Sequence, residues 1–177
     1  SGTLPTFTDA FFETMSGFTT TGSTMIDDID SQPHGILFWR SVTNWVGGLG
    51  IVLFTLAILP SNGTGEIKLF AAEMTGPNKD KLHPRLKTTL HWLWSIYLLL
   101  TILCAVALYI AGMGKFDSIC HAFATTATGG FSTHSKSIAF FHSPAIEYVE
   151  TIFMFLAGIN FSLLYALFFR RKFKMFL

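Results

Sequence analysis

Two short segments, residues 19–24 and 127–133, carry no charged side chain and consist largely of threonine, serine and glycine. They offer backbone carbonyl and hydroxyl oxygens as their polar groups. A ring of such weak dipoles can replace the hydration shell of a monovalent cation, whereas cation pathways that rely on charge use rings of Asp or Glu. Glycine reaches positive φ without steric cost, so it lets successive carbonyls turn toward one axis. The composition therefore predicts coordination of a partly dehydrated monovalent cation, with ordinary turns as the competing interpretation.

The two segments belong to a repeated unit, because residues 8–24 align with residues 116–132 at a constant offset of 108 positions. The offset pairs Asp9 with Asp117, Met15 with Phe123, Thr20 with Thr128, and Gly22 with Gly130. Each segment follows a predicted helix of about ten residues, Asp9 to Phe18 and Asp117 to Thr126, which begins at an Asp that can accept hydrogen bonds from free backbone N–H groups. Ten residues are too few to cross a bilayer. In a membrane protein, such a helix would enter the bilayer from one side, and the chain after it would return to the same side. Irregular backbone at that depth is tolerated only where protein covers it or it lines a water-filled path.

The composition of the chain is that of a membrane protein. Of its 177 residues 50% are hydrophobic and 13% are charged, and 19 are Phe. The abundant apolar surface excludes a disordered chain. A net charge of +1 disfavours nucleic-acid binding, and two cysteines, Cys104 and Cys120, cannot form a secreted disulfide scaffold.

Three apolar stretches are long enough to cross a membrane: residues 36–59, 90–112 and 145–169. The fold class predicted from them is an all-α membrane protein built of repeated helix–pore-loop–helix units, with about one and two-thirds repeats present. Residues 1–60 form the first repeat without its leading helix, with the short helix and loop at 8–24. Residues 61–89 form a loop, and residues 90–177 form the complete second repeat, with its short helix and loop at 116–133. We therefore expect the chain to be a fragment.

The basic residues predict an orientation. Nine of the twelve Lys and Arg residues lie in the loop before the second span or in the tail after residue 169. By the positive-inside rule that loop and the C-terminus are cytoplasmic. The opposite side is acidic and would concentrate cations or simply keep its loops solvated; its carboxylates are Asp9, Glu13, Asp27, Asp28, Asp30, Asp117, Glu147 and Glu150.

Several polar residues inside the spans have structural interpretations that compete with roles in ion movement. Arg40 is costly in a bilayer and is expected to pair with an outer carboxylate. Asn44 and Asn160 are expected to form interhelical hydrogen bonds. The glycines Gly47, Gly48, Gly50 and Gly158 either allow close helix packing or act as hinges. His121 and His134 lack the spacing of a metal site, and no nucleophile motif indicates an enzyme.

The strings SGFTTTGST and FATTATGGFSTH, each followed by an apolar stretch with a central glycine, resemble the Trk/Ktr family of bacterial potassium transporters, of the TrkH/KtrB type. The resemblance covers nearly the whole chain. It implies potassium-channel-like repeats around one pore, four in a whole protein, each contributing a filter glycine. Those glycines carry over to Gly22 and Gly130. The flanking carbonyls would come from Thr20, Thr21, Ser23, Thr128, Gly129 and Phe131.

The resemblance also implies partners and cargo. The transported ion would be K+, with no covalently bound cofactor. Members work as dimers with a cytoplasmic nucleotide-binding regulatory ring (TrkA/KtrA-like), which the basic loop could contact, in a bacterial inner membrane. The loops lack the second glycine and the tyrosine of the Thr-Val-Gly-Tyr-Gly filter of ordinary potassium channels, which suggests looser discrimination against Na+. A sodium-admitting channel of the same fold therefore remains an alternative, and a non-transporting scaffold or an intramembrane enzyme is a more distant one.

Overall fold

The computed structural model describes residues 4–50 and 86–158, and within those ranges it is helical and contains no strand. Five α-helices are present: α1 (Phe7–Phe18), α2 (His34–Trp45), α3 (Leu86–Ile110), α4 (Lys115–Thr126) and α5 (Pro144–Gly158). A π-helical turn, Val46–Gly50, continues α2, and a short 3-10 helix, Ser137–Phe141, precedes α5. Parts of the predicted first and third spans (51–59 and 159–169), the 61–89 loop except residues 86–89, and the basic tail lie outside the described residues.

Helix α1 begins earlier than its acidic residue indicates. Its N-cap is Thr6, whose hydroxyl oxygen accepts a hydrogen bond from the Asp9 N–H at 3.1 Å. Asp9 therefore lies in the first turn, where its charge complements the positive end of the helix dipole. A capping Thr satisfies one of the free N–H groups at the start of the helix. The helix buries Glu13, Ser16 and Gly17.

Helix α2 follows Pro33 and packs closely on the end of α1. A Cβ on Gly17 would collide with the Thr43 side chain of α2. A Cβ on Gly47, in the π-helical turn, would collide with the backbone of Phe18. Of the two sequence interpretations for this glycine, close packing is therefore the one the contacts support.

Helix α3 is, within the described residues, the one helix long and apolar enough to cross a membrane, through its segment Leu93–Ile110. One face packs on the rest of the chain and buries Tyr97, Cys104 and Leu108 completely. The opposite face exposes Leu98, Leu99, Ile102, Leu103, Val106 and Ile110. An apolar surface of this size suits lipid or further protein rather than water.

Helices α4 and α5 complete the core together with α3. Cys104, Leu108, Met113, Ala122 and Ile146 form its buried centre. A smaller cluster of Ile26, Ile29 and Leu37, with Leu4 and Phe116 packed against it, joins the segment between α1 and α2 to the start of α4. Helix α2 packs against both α1 and α4. Its π-helical continuation meets the C-terminal ends of both, because Gly47 lies against Phe18 and Gly48 lies against Ala127.

Candidate functional site: two Thr/Gly loops

The loop after α1 leaves the helix through a turn with a Thr in left-handed conformation. Thr20 has φ +54° and Gly22 has φ +77°. The Thr20 N–H donates to the Gly17 carbonyl at 3.0 Å, and the Thr21 N–H donates to the Ser16 carbonyl at 2.9 Å. This pair of bonds is a Schellman motif, which satisfies carbonyls that the helix end leaves free.

The loop after α4 has the same backbone, position for position, 108 residues later. Thr128 has φ +54° and Gly130 has φ +96°. The Thr128 N–H donates to the Thr125 carbonyl at 3.1 Å, and the Gly129 N–H donates to the Ala124 carbonyl at 2.8 Å. The sequence offset is thus matched by backbone conformation and hydrogen bonding at these residues.

Threonine at positive φ is unusual, because its branched Cβ crowds the backbone there. Glycine is the residue that ordinarily occupies this position of the motif, yet both loops have Thr. Backbone conformations of this kind cost on the order of 1–3 kcal/mol and cluster at ligand sites. The paired outliers Thr20 and Thr128 are therefore candidates for a functional role.

The two loops touch each other. A Cβ on Gly22 would collide with the Gly129 carbonyl oxygen, so the backbones of the two loops are in contact at this point. Along the second loop exposure alternates: Thr128 and Gly130 are exposed, whereas Gly129 and Phe131 are buried.

In the first loop, Thr21 and Ser23 are exposed and Thr20 and Gly22 are half-buried. The Ser23 carbonyl oxygen accepts a hydrogen bond from the Ser16 hydroxyl at 2.6 Å, so one of its lone pairs is already used within the protein. The Thr21 hydroxyl lies 2.9 Å from the Thr19 hydroxyl. The eight predicted residues therefore lie together in two touching loops, with four of them exposed.

Arg40 connects both loops to α1. Its Nε donates to Glu13 Oε1 at 2.7 Å, and both side chains are buried. Its other nitrogens donate to the Thr24 hydroxyl at 3.1 Å and to the Ser132 carbonyl at 3.4 Å. The guanidinium carbon lies 4.3 Å above the Phe131 ring. Arg40 thus has the carboxylate partner that the sequence leads us to expect, and that partner is Glu13.

The second loop is joined to its short helix and to the following helix as the first loop is, but through different side chains. His121, which the offset pairs with Glu13, has Nδ1 3.3 Å from Glu150 Oε1 of α5. Its Nε2 lies 3.2 Å from the hydroxyl of Ser132, which the offset pairs with Thr24. Thr125 donates to the other Glu150 oxygen. Each short helix is therefore joined to its own loop and to the following helix.

These ties correct the predicted acidic rim. Glu13 and Glu150 are buried against Arg40 and His121, so neither carboxylate is exposed as an acidic rim requires. Sequence reasoning missed the pairing of His121 with Glu150. The signal was present in the offset, since residues 13 and 121 occupy the same place in the two copies.

His134 joins the two copies through contacts with two carboxylates. His134 Nδ1 lies 2.6 Å from Asp30 Oδ1, and His134 Nε2 lies 3.6 Å from Asp117 Oδ1. The His134 ring stacks on Phe140 at 3.6 Å between centroids. Hydrogen bonds from His134 and Ser135 lower the pKa of Asp30 below its usual value.

The chemistry available at the loops is coordination by neutral oxygens. Within residues 4–50 and 86–158, no group of three or more His, Cys, Asp or Glu side chains is arranged to hold a metal ion. The buried Glu13–Arg40 pair and the buried His121–Glu150 contact are hydrogen-bonded to loop residues Thr24 and Ser132, while the polar groups of the loops themselves are carbonyl, N–H and hydroxyl groups.

Comparison with known proteins identifies a family of cation transport proteins and several similar members. The family described as "TrkH: Cation transport protein" matches residues 1–177. The chain is 51% identical over 172 residues to a Trk system potassium uptake protein TrkH of Escherichia coli, covering 97% of the chain and 36% of that protein. It is 48% identical to the Trk system potassium uptake protein TrkG of the same species, over 96% of the chain and 35% of that protein.

A solved structure, the potassium transporter TrkH from Vibrio parahaemolyticus, is similar with a TM-score of 0.73 and 45% identity. The similarity covers 93% of the chain and 32% of that structure. The chain therefore spans about a third of the length of the relatives it matches.

Proposed function

This chain belongs to the TrkH family of cation transport proteins, and from that premise we propose that it forms part of a pathway for potassium uptake across a membrane. Its relatives are named potassium uptake proteins and a potassium transporter. In this proposal the ion is the cargo and passes the two Thr/Gly loops, which supply neutral oxygen ligands. The role is transport and involves no enzymatic step.

The single observation that carries the proposal is the matched backbone of the two loops. Residues 108 positions apart share positive φ at Thr20 and Thr128 and at Gly22 and Gly130. The loops also touch, so their oxygens lie near one another. A monovalent cation needs several weak dipoles around one point, and two loops of the same conformation are suited to supply them. The residues proposed to coordinate the ion are Thr20, Thr21, Gly22, Ser23, Thr128, Gly129, Gly130 and Phe131.

The repeat is part of the same proposal. We assign α1 and its loop with α2 to one repeat, and α3, α4 with its loop and α5 to a second. In a full-length protein, further repeats of this kind would complete the ring around the ion. Loop 61–89 and the C-terminus are assigned to the cytoplasmic side. A nucleotide-binding regulatory subunit at that loop and a homodimer of the full-length chain are the partners we propose.

Ion flux through liposomes containing the full-length transporter tests the proposal. We expect Gly22→Asp and Gly130→Asp to abolish potassium flux, because each adds a charged side chain at a positive φ in the loops. Gly35→Asp is the matched control. Gly35 has no heavy atom within 4 Å of an added Cβ, and it lies in the first turn of α2, where an acidic residue is favourable.

Two measurements, the flux of the loop variants and the competition between the ions, decide between the hypotheses. Unchanged flux in both loop variants would show that the ion does not pass these loops. Competition between potassium and sodium then identifies the cargo: potassium flux that sodium reduces only weakly supports a potassium pathway. Equal competition would instead establish the sodium-admitting channel.

A further inference from the structure

Asn44 lies in the last turn of α2 and is completely buried, between the end of α1 and the second Thr/Gly loop. Its side-chain amide has two backbone neighbours. With its nitrogen toward α1, it donates to the Gly17 carbonyl at 2.9 Å, and its oxygen then accepts from the Phe131 N–H at 3.2 Å. A carbonyl requires a donor and an N–H requires an acceptor, so this orientation satisfies both.

The bond to Phe131 fixes the direction of a neighbouring carbonyl. The Phe131 N–H and the Gly130 C=O belong to one planar peptide unit. In a trans peptide these two groups point in opposite directions. Asn44 holds the N–H on the protein side, and the Gly130 carbonyl is therefore directed away from Asn44. Gly130 itself is exposed at this point.

Close packing adds to the restraint. The Asn44 side chain lies where a Cβ on Gly129 would be, so the amide contacts the loop at the preceding residue as well. Glycine carries little intrinsic conformational restriction, and the peptide on either side of Gly130 could rotate without such a partner. The restraint also crosses between copies, since Asn44 follows the first loop and holds the second.

We propose that Asn44 is a positioning residue that sets the direction of the Gly130 carbonyl and thereby the discrimination among monovalent cations. This inference rests on the proposed function of the loops. Asn44 touches no ion in this mechanism. It acts through the 130–131 peptide, and its second bond, to Gly17, keeps the amide from rotating.

The test replaces Asn44 by Leu in the full-length transporter and measures the ratio of potassium to sodium flux in liposomes. Leu is similar in size and can neither donate nor accept. Loss of one net hydrogen bond predicts a fall in the flux ratio of about three- to tenfold. Ser41→Ala is the matched control, because Ser41 is equally buried on α2 and its hydroxyl donates to the Leu37 carbonyl of its own helix. The control is expected to keep the ratio of the unmodified protein.

A second variant removes the donor without changing the packing at Asn44. Replacing Phe131 by phenyllactic acid turns the 130–131 amide into an ester, which has no N–H. The ratio is expected to fall in this variant too. An ester also makes the Gly130 carbonyl a weaker acceptor, so a control for that effect is needed. The same ester is therefore introduced into the Asn44→Leu protein, where no bond to Asn44 is left to lose. We expect the ester to lower the flux ratio less in that protein than in the unmodified one.

A folded Asn44→Leu protein whose flux falls at an unchanged ion ratio would overturn the inference, since that is the effect of a purely structural residue. If Asn44→Leu does not fold, an unchanged ratio in the ester variant overturns it. Failure of the proposed function is distinguishable, because Gly130→Asp would then leave the flux intact. A Gly130→Asp protein without flux, beside an Asn44→Leu protein with an unchanged ratio, would reject the role of Asn44 alone.

Discussion

The buried pair of Glu13 and Arg40 provides the sharpest test of how the loops are held. The two side chains are 6% and 4% exposed, and their charged atoms lie 2.7 Å apart. Replacing Glu13 by Gln keeps the shape but leaves the Arg40 charge without its carboxylate. Removing one partner of a buried ion pair costs about 3–5 kcal/mol, because the remaining charge stays desolvated and unpaired. Arg40→Met leaves the Glu13 carboxylate in the same position, and we expect a similar cost.

The double variant Glu13→Gln/Arg40→Met is expected to be more stable than the sum of the single effects allows. It leaves no unpaired charge at this site, and the Gln oxygen can still accept from the Thr24 hydroxyl or the Met25 N–H, as Glu13 does. Coupling energies between contacting residues reach about 3 kcal/mol, and we expect a value near 2 kcal/mol or above.

This coupling is measured by thermal unfolding of the full-length protein in detergent. Four proteins are compared: the unmodified protein, the two single variants and the double variant. Asp27→Asn serves as a control, because Asp27 is an exposed acid, and surface substitutions usually change stability by less than about 0.5 kcal/mol. Additive effects of Glu13→Gln and Arg40→Met, or single variants as mild as Asp27→Asn, would refute the reasoning that these charges depend on each other.

Three further predictions concern the two loops and the contact between Asp30 and His134. Thr128→Gly is expected to raise the unfolding temperature relative to Thr128→Ala, because Gly removes a left-handed strain of about 1–2 kcal/mol that Ala retains; equal temperatures would show that the position is unstrained. Gly22→Ala is expected to destabilise the protein more than Gly130→Ala, since its Cβ meets backbone from the other loop whereas that of Gly130 meets nothing within 4 Å; the reverse order of unfolding temperatures would contradict the contact. The pKa of Asp30 is lowered by His134 in the folded protein, so its contribution to stability is complete above its unfolded pKa and is lost as pH falls through the folded value. The difference in unfolding temperature between the unmodified protein and Asp30→Asn should therefore have its full value at about pH 5 and shrink as the pH falls further; a difference that does not change over this range would exclude the linkage.

Much of the helical organisation could be read from local patterns. The short helices were predicted over 9–18 and 117–126 and are found at Phe7–Phe18 and Lys115–Thr126. The second span was predicted over 90–112, and α3 covers Leu86–Ile110. Both short helices begin two residues before the predicted start. For α1 the reason is the N-cap, because the hydroxyl of Thr6 provides it, whereas the sequence favoured Asp9 as the first residue. The role of the eight loop residues stays a prediction.

The sequence by itself determined the apolar class, the uncharged loops and the offset that pairs them, because composition and spacing are properties of the chain alone. The tertiary structure decided which groups meet across that chain. It joined Arg40 to Glu13, His121 to Glu150, and Asn44 to a peptide of the other loop. Those contacts depend on how α1, α2, α4 and α5 pack, and long-range packing is fixed by the shape of whole helix faces, which no local pattern specifies.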